Sequence, residues 1–245
     1  MRYFGLIGYP LGHSFSQRYF SAYFKEEGIE AQYDLYPLGN IDAFPDLINR
    51  VELTGLNVTI PYKQQVIPFL DELHATASEI GAVNVIKFIR EKGKTKLKGY
   101  NSDAIGFENA IKPFLQPNHK KALILGTGGA SKAVWYTLNK LGLQTRYVSR
   151  NASEGIISYA DLNEEIIAEN LLIVNTTPLG MHPKTEACPD IPYHLLTSKH
   201  LLYDVIYHPE ETLFMKKGKE KGAVTVNGLE MLHGQAIAAW QIWNE

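Results

Sequence analysis

Short apolar runs alternate with amphipathic segments along the whole chain. The runs Tyr3–Gly8, Leu171–Asn175 and His200–Val205 end at glycine or at polar residues, which is typical of buried parallel strands. Between such runs, segments such as Gln17–Glu27 and Leu229–Trp243 repeat apolar residues every three or four positions, which predicts helices. The alternation predicts an α/β fold with mostly parallel sheets covered by helices on both faces.

The other predicted elements follow from the same patterns. Further strands are expected at 31–38, 56–59, 82–86, 121–125, 145–148 and 223–226, and further helices at 41–50, 66–80, 105–115 and from 130 onward. The polar run Arg90–Lys98 is interpreted as a solvated hairpin turn. A polar break at 117–120 precedes the strand at 121–125, so we expect one α/β unit over the first hundred residues and a second over 102–227.

A glycine-rich turn follows the apolar strand at 121–125. It reads Gly126-Thr127-Gly128-Gly129-Ala130 and leads into a predicted helix. Glycines there allow a sharp turn and a close backbone approach to a diphosphate, which the helix N-terminus attracts. The same spacing also occurs in purely structural turns, so the nucleotide interpretation depends on the strand–turn–helix context.

The end of the next strand distinguishes NADP from NAD. The NAD fingerprint places Asp or Glu at this strand end, whereas this chain has Ser149-Arg150-Asn151. A guanidinium can pair bidentately with a ribose 2′-phosphate. The sequence therefore favours NADP over NAD, and the alternative is that Arg150 is an ordinary solvated arginine.

Three polar clusters in the first hundred residues are candidates for a substrate site. The hydroxyls of Ser14 and Ser16 can bind a carboxylate, although capping of the following helix explains them equally well. Lys63 follows a Pro-Tyr corner and can serve as an acid/base group, or it is a surface lysine. Asn84 and the segment Asn101-Ser102-Asp103 provide further polar groups, and the latter also fits a helix cap.

Composition narrows the class of protein. The chain has 245 residues, a formal net charge of −2 and one cysteine, Cys188. This charge predicts no general affinity for nucleic acid, and a single cysteine excludes an internal disulfide. No apolar run approaches 18 residues and no signal peptide is recognised, so we expect a cytoplasmic protein without a membrane span.

Eight sequence blocks together resemble the shikimate dehydrogenase family, which reduces 3-dehydroshikimate to shikimate with NADPH. Those in the first half of the chain are Gly8–Ser16, Asn57–Lys63, Gly81–Asn84 and Gly99–Gly106. Those in the second half are Gly126–Ser131, Asn175–Met181, Asp204–Pro209 with Thr212, and Asn227–Leu232 with Gln235. The resemblance departs from the family pattern at Ser149-Arg150-Asn151, where the family has Asn-Arg-Thr followed by a further basic residue.

The resemblance implies an architecture and a set of roles. It implies a substrate domain at 1–101 plus 228–245 and a Rossmann-type NADP-binding domain at 102–227, the C-terminal helix returning to the first domain. The catalytic pair would be Lys63 and Asp103. The substrate would be bound by Ser14, Ser16, Thr59, Lys63, Asn84, Asp103, Tyr207 and Gln235. The cofactor would be bound by Gly126, Thr127, Gly128, Gly129, Ala130, Ser149, Arg150, Asn151, Thr176, Met181, Val205 and Gly228. No metal is expected, the partner is the small-molecule substrate, and the chain would be a monomer or a homodimer.

Three other functions stay open at this point. One is a quinate or shikimate dehydrogenase that uses NAD or NADP. Another is a folate-linked dehydrogenase, which the paired serines and Asn101-Ser102-Asp103 fit less well. The third is a non-catalytic module that binds shikimate or nucleotide, against which the presence of both Lys63 and Asp103 argues.

Overall fold

The computed structural model describes residues 1–12 and 14–245, which form two compact units. The first unit comprises Met1–Ser102 and Ala236–Glu245, and the second comprises Asp103–Gln235. His13, which belongs to the sequence block Gly8–Ser16, lies outside the described residues. The roles of the two units as substrate and cofactor domains stay predictions at this stage.

A mixed six-stranded sheet organises the first unit. Its elements are β1 (Arg2–Gly8), α1 (Phe15–Glu26), β2 (Ala31–Pro37), α2 (Phe44–Arg50), β3 (Leu53–Val58), β4 (Glu72–Leu73), α3 (Ala75–Ile80), β5 (Val85–Glu91) and β6 (Lys94–Tyr100). The strand order is β2-β1-β3-β5-β6-β4. The pairings of β1 with β2 and β3, and of β4 with β6, are parallel, whereas β5 is antiparallel to both β3 and β6.

The second unit contains a wholly parallel six-stranded sheet. Its elements are α4 (Asp103–Ile111), β7 (Lys121–Leu125), α5 (Gly129–Lys140), β8 (Gln144–Ser149), β9 (Ile156–Ser158), α6 (Glu164–Glu169), β10 (Leu172–Asn175), β11 (Leu201–Asp204), α7 (Leu213–Lys219), β12 (Val224–Val226) and the first part of α8 (Leu229–Asn244). The order β12-β11-β10-β7-β8-β9 is the doubly wound order of dinucleotide-binding folds. The predicted α/β class with largely parallel sheets is confirmed.

The single helix predicted over 66–80 is wrong. The segment instead contains a 3₁₀ turn at Ile67–Phe69, the short strand β4, and then helix α3. Pro68 is incompatible with a continuous helix because it lacks an amide donor and crowds the preceding turn. Asp71 adds a tertiary tie, since its Oδ2 accepts a hydrogen bond from the Leu97 amide at 2.7 Å.

The solvated turn predicted over Arg90–Lys98 is much shorter in the structure. Strands β5 and β6 pair as far as Glu91 and Lys94. Lys92 and Gly93, with φ angles of 50° and 75°, make the connection alone. Two successive positive φ angles are the mark of a tight type I′ hairpin turn, whose twist suits antiparallel strands. The polar residues of 90–91 and 94–98 are therefore strand residues, although their composition suggested a turn.

Residues near the C-terminus complete the core of the first unit. Trp243 of α8 is 4% exposed, and its Nε1 donates to the Ile86 carbonyl at 3.1 Å. A Cβ atom on Gly55 would lie only 2.3 Å from the Trp243 ring, so this strand position requires glycine. Across residues 1–12 and 14–245, no helix combines the length and the apolar character that crossing a membrane requires.

Candidate active site

The turn between β7 and α5 has the geometry that a dinucleotide diphosphate needs. Gly126 leaves the strand with φ of 99°, a conformation that favours glycine, and its amide donates to Val148 O at 2.8 Å. A Cβ atom on Gly128 would meet no atom within 4 Å, so glycine at this helix cap is not dictated by protein packing. The open space lies at the N-terminus of a twelve-residue helix, whose first amides point toward it. The residues present therefore fit a bound diphosphate.

The candidate 2′-phosphate residues lie at the end of the neighbouring strand. Because β8 is parallel to β7, Ser149 and Gly126 leave the same edge of the sheet. Arg150 and Asn151 are exposed there. Burial raises the pKa of Tyr159, and the positive charge of Arg150 opposes that rise. An exposed guanidinium at this end of the sheet can pair with an anionic group.

The loop after β10 forms the other side of the glycine turn. Thr176 donates from its Oγ1 to the Leu125 carbonyl at 2.6 Å, and its amide donates to the same carbonyl at 2.9 Å. A Cβ atom on Gly126 would approach Thr176 Oγ1 to 3.0 Å. Further along this loop, Met181 is 46% exposed.

Val205 and Gly228 come together in the second unit. The Gly228 amide donates to the Ile206 carbonyl at 3.0 Å. A Cβ atom at Gly228 would lie 2.1 Å from the Val205 carbonyl oxygen, so only glycine fits. Tyr207 lies two residues after Val205 and is 36% exposed. This close backbone approach fixes the loop that carries both Val205 and Tyr207.

A buried polar network connects the loops after β10 and β11. Asp204 is fully buried, and its carboxylate accepts hydrogen bonds from Asn175 Nδ2 at 3.0 Å, the Ile206 amide at 3.1 Å and Thr212 Oγ1 at 2.6 Å. Burial raises the pKa of the Asp204 carboxyl to about 6, and these three hydrogen bonds oppose the rise. Asn175 Oδ1 in turn accepts from the amide and hydroxyl of Thr177, at 3.0 and 2.7 Å. The network therefore links the start of the loop after β10 to the start of the loop after β11.

In the first unit, the two candidate serines have different surroundings. Ser14 caps α1, with its Oγ accepting from the Gln17 amide at 3.3 Å, as the alternative interpretation expected. Ser16 lies near the buried hydroxyl of Tyr33, whose pKa burial raises and a hydrogen bond with Ser16 lowers. The Tyr33 hydroxyl donates to Asn57 Oδ1 at 2.7 Å. Capping leaves the Ser14 hydroxyl hydrogen available, so this geometry is compatible with a further acceptor at Ser14.

Asn84 lies at the centre of a second network in the first unit. The side chain is 3% exposed, and its Oδ1 accepts from the Ser102 amide at 2.7 Å while its Nδ2 approaches Ser102 Oγ at 3.0 Å. The carbonyl of Asn84 accepts from Asn57 Nδ2 at 3.3 Å. Asn101 Nδ2 donates to the Ala82 carbonyl at 2.9 Å. These bonds hold in place the segment that contains Asn84 and the segment Asn101-Ser102, which leads to Asp103.

Lys63 and Thr59 are held on the same loop of the first unit. Lys63 is half-buried, and its carbonyl accepts from the Val83 amide at 2.7 Å, which ties the loop to the segment before Asn84. The Thr59 carbonyl accepts from the Tyr62 amide at 2.9 Å, which closes the Pro-Tyr corner. Tyr62 is 3% exposed and anchors that corner in the core. The backbone before Lys63 is therefore rigidly positioned.

Asp103 and Gln235 lie in the second unit. Asp103 is the first residue of α4 and is 6% exposed. Gln235 donates from its Nε2 to the Leu232 carbonyl at 3.0 Å. Helices α4 and α8 approach closely there, because a Cβ atom on Gly106 would lie 2.5 Å from the Met231 carbonyl oxygen and 2.7 Å from the Gln235 amide nitrogen. Within residues 1–12 and 14–245, no group of three potential metal-ligating side chains occurs.

Sequence reasoning did not assign the supporting residues of the site. Asn57, Ser102, Asp204 and Thr212 are all buried polar residues within the sequence blocks already singled out. The available signal was a polar residue next to or within an apolar run, since a buried polar group needs partners. Their partners lie up to 29 positions away in sequence, as for Asn175 and Asp204, and cannot be read from the pattern.

Known proteins resemble this chain over nearly its whole length. Residues 6–86 match the family model described as the shikimate dehydrogenase substrate binding domain. A shikimate dehydrogenase (NADP(+)) from Desulforamulus reducens is 37% identical over an alignment that covers 98% of this chain and 88% of that protein. The crystal structure of shikimate dehydrogenase from Aquifex aeolicus matches with a TM-score of 0.87 and 37% identity, covering 99% of this chain and 92% of that one.

A ligand-bound relative is also similar over nearly the whole chain. This is the crystal structure of shikimate 5-dehydrogenase from Thermus thermophilus in complex with NADP(H) and shikimate, with a TM-score of 0.85 and 30% identity. The match covers 99% of this chain and 93% of that one. Identity of this level over almost the full length shows that this chain belongs to the shikimate dehydrogenase family.

Proposed function

We propose that this chain is an NADP-dependent shikimate dehydrogenase, which reversibly reduces 3-dehydroshikimate to shikimate in the route to aromatic amino acids. The observation that carries the proposal is the glycine turn at Gly126 and Gly128, open at a helix N-terminus, in a chain that belongs to this family from end to end. Arg150, directly after the neighbouring strand β8, supports the preference for NADP over NAD.

In the proposed reaction the cofactor supplies the hydride and the protein supplies the proton. Bound NADPH supplies a hydride to the C3 carbonyl carbon of the substrate. Lys63 then gives a proton from its ammonium group to the alkoxide oxygen, which completes the hydroxyl of shikimate. Asp103 accepts a hydrogen bond from that hydroxyl and orients it. In the reverse direction Lys63 takes the proton back, so the same two residues serve both directions.

The other side chains bind and orient. We propose that Ser14, Ser16, Thr59 and Tyr207 hold the carboxylate side of the substrate, and that Asn84 and Gln235 bind ring hydroxyls. The backbone from Gly126 to Ala130 binds the diphosphate, and Ser149 to Asn151 bind the adenosine end. Met181, Val205 and Gly228 line the nicotinamide, and Thr176 is a further cofactor-binding residue. Polar groups held by buried networks lose little freedom on binding, which is how such networks favour a single substrate orientation.

The location and assembly of the protein belong to the same proposal. We place the enzyme in the cytoplasm, where one cysteine, Cys188, is expected to stay reduced. We propose a monomer or a homodimer that needs no macromolecular partner for turnover.

The test of the catalytic role is the variant Lys63→Met, which removes the ammonium and keeps the length of the side chain. We expect kcat for shikimate oxidation to fall roughly 100-fold or more while NADP+ binding stays unchanged. The matched control is Lys87→Met, another half-buried lysine of the first unit, on β5, which should retain full turnover. Equal activity of both variants would refute the role of Lys63.

A further inference from the structure

Two histidines lie side by side on the loops that carry candidate ligand-binding residues. His182 follows Met181 in the loop after β10, and His208 follows Tyr207 in the loop after β11. Both side chains are exposed. Their ring centroids are 5.8 Å apart and the rings are tilted by 40°.

The backbone holds the two histidines in this arrangement. Strands β10 and β11 are parallel, with Asn175 opposite Asp204, so both loops leave the same edge of the sheet. The His182 amide donates to the His208 carbonyl at 3.5 Å. The Asn175–Asp204 bond at 3.0 Å links the bases of the loops below this contact. The pair is therefore a feature of a supported loop junction and not of one mobile segment.

The ring separation falls within the range for two imidazoles on one transition-metal ion. Zinc binds imidazole nitrogen at about 2.0–2.1 Å, which places each ring centroid about 3.2 Å from the ion. Two such rings have centroids about 5.2 Å apart at a tetrahedral angle and at most about 6.4 Å apart when opposed. The observed 5.8 Å lies between these limits, so the spacing of the two rings is compatible with one shared ion.

We propose that His182 and His208 form a two-histidine site for a divalent transition-metal ion of the zinc type, with water completing the coordination. Imidazole is the preferred nitrogen ligand of Zn²⁺, Ni²⁺ and Cu²⁺, whereas Mg²⁺ and Ca²⁺ prefer oxygen. The site binds an inhibitory ion and takes no part in hydride transfer.

The inhibitory consequence depends on the function proposed above. Met181 and Tyr207 each neighbour one of the two histidines, and they are proposed to contact nicotinamide and substrate. An ion held by both rings joins the two loops and limits their movement during ligand entry and release. Because loop movement limits turnover in many enzymes, we expect bound Zn²⁺ to lower kcat.

The experiment is calorimetric titration of the metal-free full chain with ZnCl₂, for wild type, His182→Asn and His208→Asn. We expect one site in wild type and a loss of affinity of roughly 10-fold or more in each variant, because each removes one of two protein ligands. The matched control is His194→Asn, an exposed histidine of the second unit outside this pair. Cys188→Ser tests the one thiol as an alternative ligand, and MgCl₂ replaces ZnCl₂ as the control ion.

Calorimetry decides the site without any need for turnover, so its outcome is independent of the proposed enzymatic activity. Unchanged Zn²⁺ affinity in both His182→Asn and His208→Asn, or affinity lost only in Cys188→Ser, overturns the site. Turnover then decides the consequence, since Zn²⁺ should inhibit wild type reversibly with EDTA and should inhibit the two variants far less. Saturating Zn²⁺ that leaves wild-type turnover unchanged overturns the inhibitory role.

Discussion

Replacement of Thr212 by valine tests the buried network beneath the candidate site. Valine has almost the shape of threonine but no hydroxyl. Thr212 is fully buried, and its Oγ1 donates to Asp204 Oδ2 at 2.6 Å and accepts from the Met215 amide at 3.4 Å, capping α7. The substitution therefore removes two hydrogen bonds without creating a large cavity.

The magnitude follows from the two bonds. A hydrogen bond to a charged group contributes about 1.5–3 kcal/mol, and a helix cap contributes about 1 kcal/mol. Because the capping bond is long, we expect Thr212→Val to destabilise the second unit by about 2–4 kcal/mol at pH 8. In a chain of this size that corresponds to a fall in Tm of roughly 4–16 °C.

The pH dependence makes this prediction specific to Asp204. Its carboxyl pKa is about 6 in the folded protein against an ordinary value of 3.8, because burial disfavours the charge. Protonation therefore favours the folded state, and this contribution is complete below pH 3.8 and is lost as the pH rises through about 6. At pH 8 the variant Thr212→Val leaves a buried carboxylate charge with one hydrogen bond fewer. At pH 5 the Asp204 carboxyl is mostly protonated and uncharged, so the loss of stability caused by Thr212→Val should be smaller than at pH 8.

The assay is thermal unfolding at pH 5 and pH 8, with hydrogen exchange of β11 and α7 amides as the local readout. The matched control is Thr225→Val on β12, whose buried Oγ1 has no hydrogen-bond partner among the described residues. This control should be neutral or slightly stabilising. Equal costs of Thr212→Val at both pH values, or equal costs of the two threonine substitutions, would refute the reasoning.

Three further substitutions test neighbouring parts of the account. Arg150→Ala should raise KM for NADP+ roughly 10-fold or more and leave KM for NAD+ unchanged in steady-state assays. Arg146→Ala, four residues earlier on β8, is the control and should leave both KM values unchanged. Gly228→Ala places a Cβ atom 2.1 Å from the Val205 carbonyl oxygen, so we expect a loss of about 1–3 kcal/mol by chemical denaturation; wild-type stability would contradict that packing. Asp204→Asn removes the titrating carboxyl, so its stability relative to wild type should rise between pH 4 and pH 7, and a flat difference would show that Asp204 does not titrate there.

The second unit was the more predictable from sequence. Its strands are short apolar runs, and Gly126 has the positive φ that a sharp βα turn requires. The third strand of that sheet, β9 at Ile156–Ser158, was missed because three residues carry too little periodicity. In the first unit, Pro68 was the available signal against a helix over 66–80, and the short pairing of β4 with β6 is a tertiary contact that no local pattern reveals.

The sequence predicts a site residue only where its side-chain type and its place at the end of a strand or in a loop together indicate a role. Ser14 illustrates the limit, since capping and carboxylate binding use the same hydroxyl and sequence weighs them equally. Asp204 illustrates the other limit, because its partners Asn175 and Thr212 become neighbours only through strand register and the turn into α7. The residues that support a site are thus harder to predict than those expected to contact the ligand.

The most direct measurement of the central claim is the rate of reduced-nicotinamide formation, with shikimate or quinate as substrate and NADP+ or NAD+ as cofactor. We expect strong turnover with shikimate and NADP+, and much weaker turnover in the other three combinations. Comparable rates with quinate or NAD+ would instead make the chain a broader quinate or shikimate dehydrogenase. No turnover by folded protein in any combination would contradict the proposed enzyme and favour a binding module.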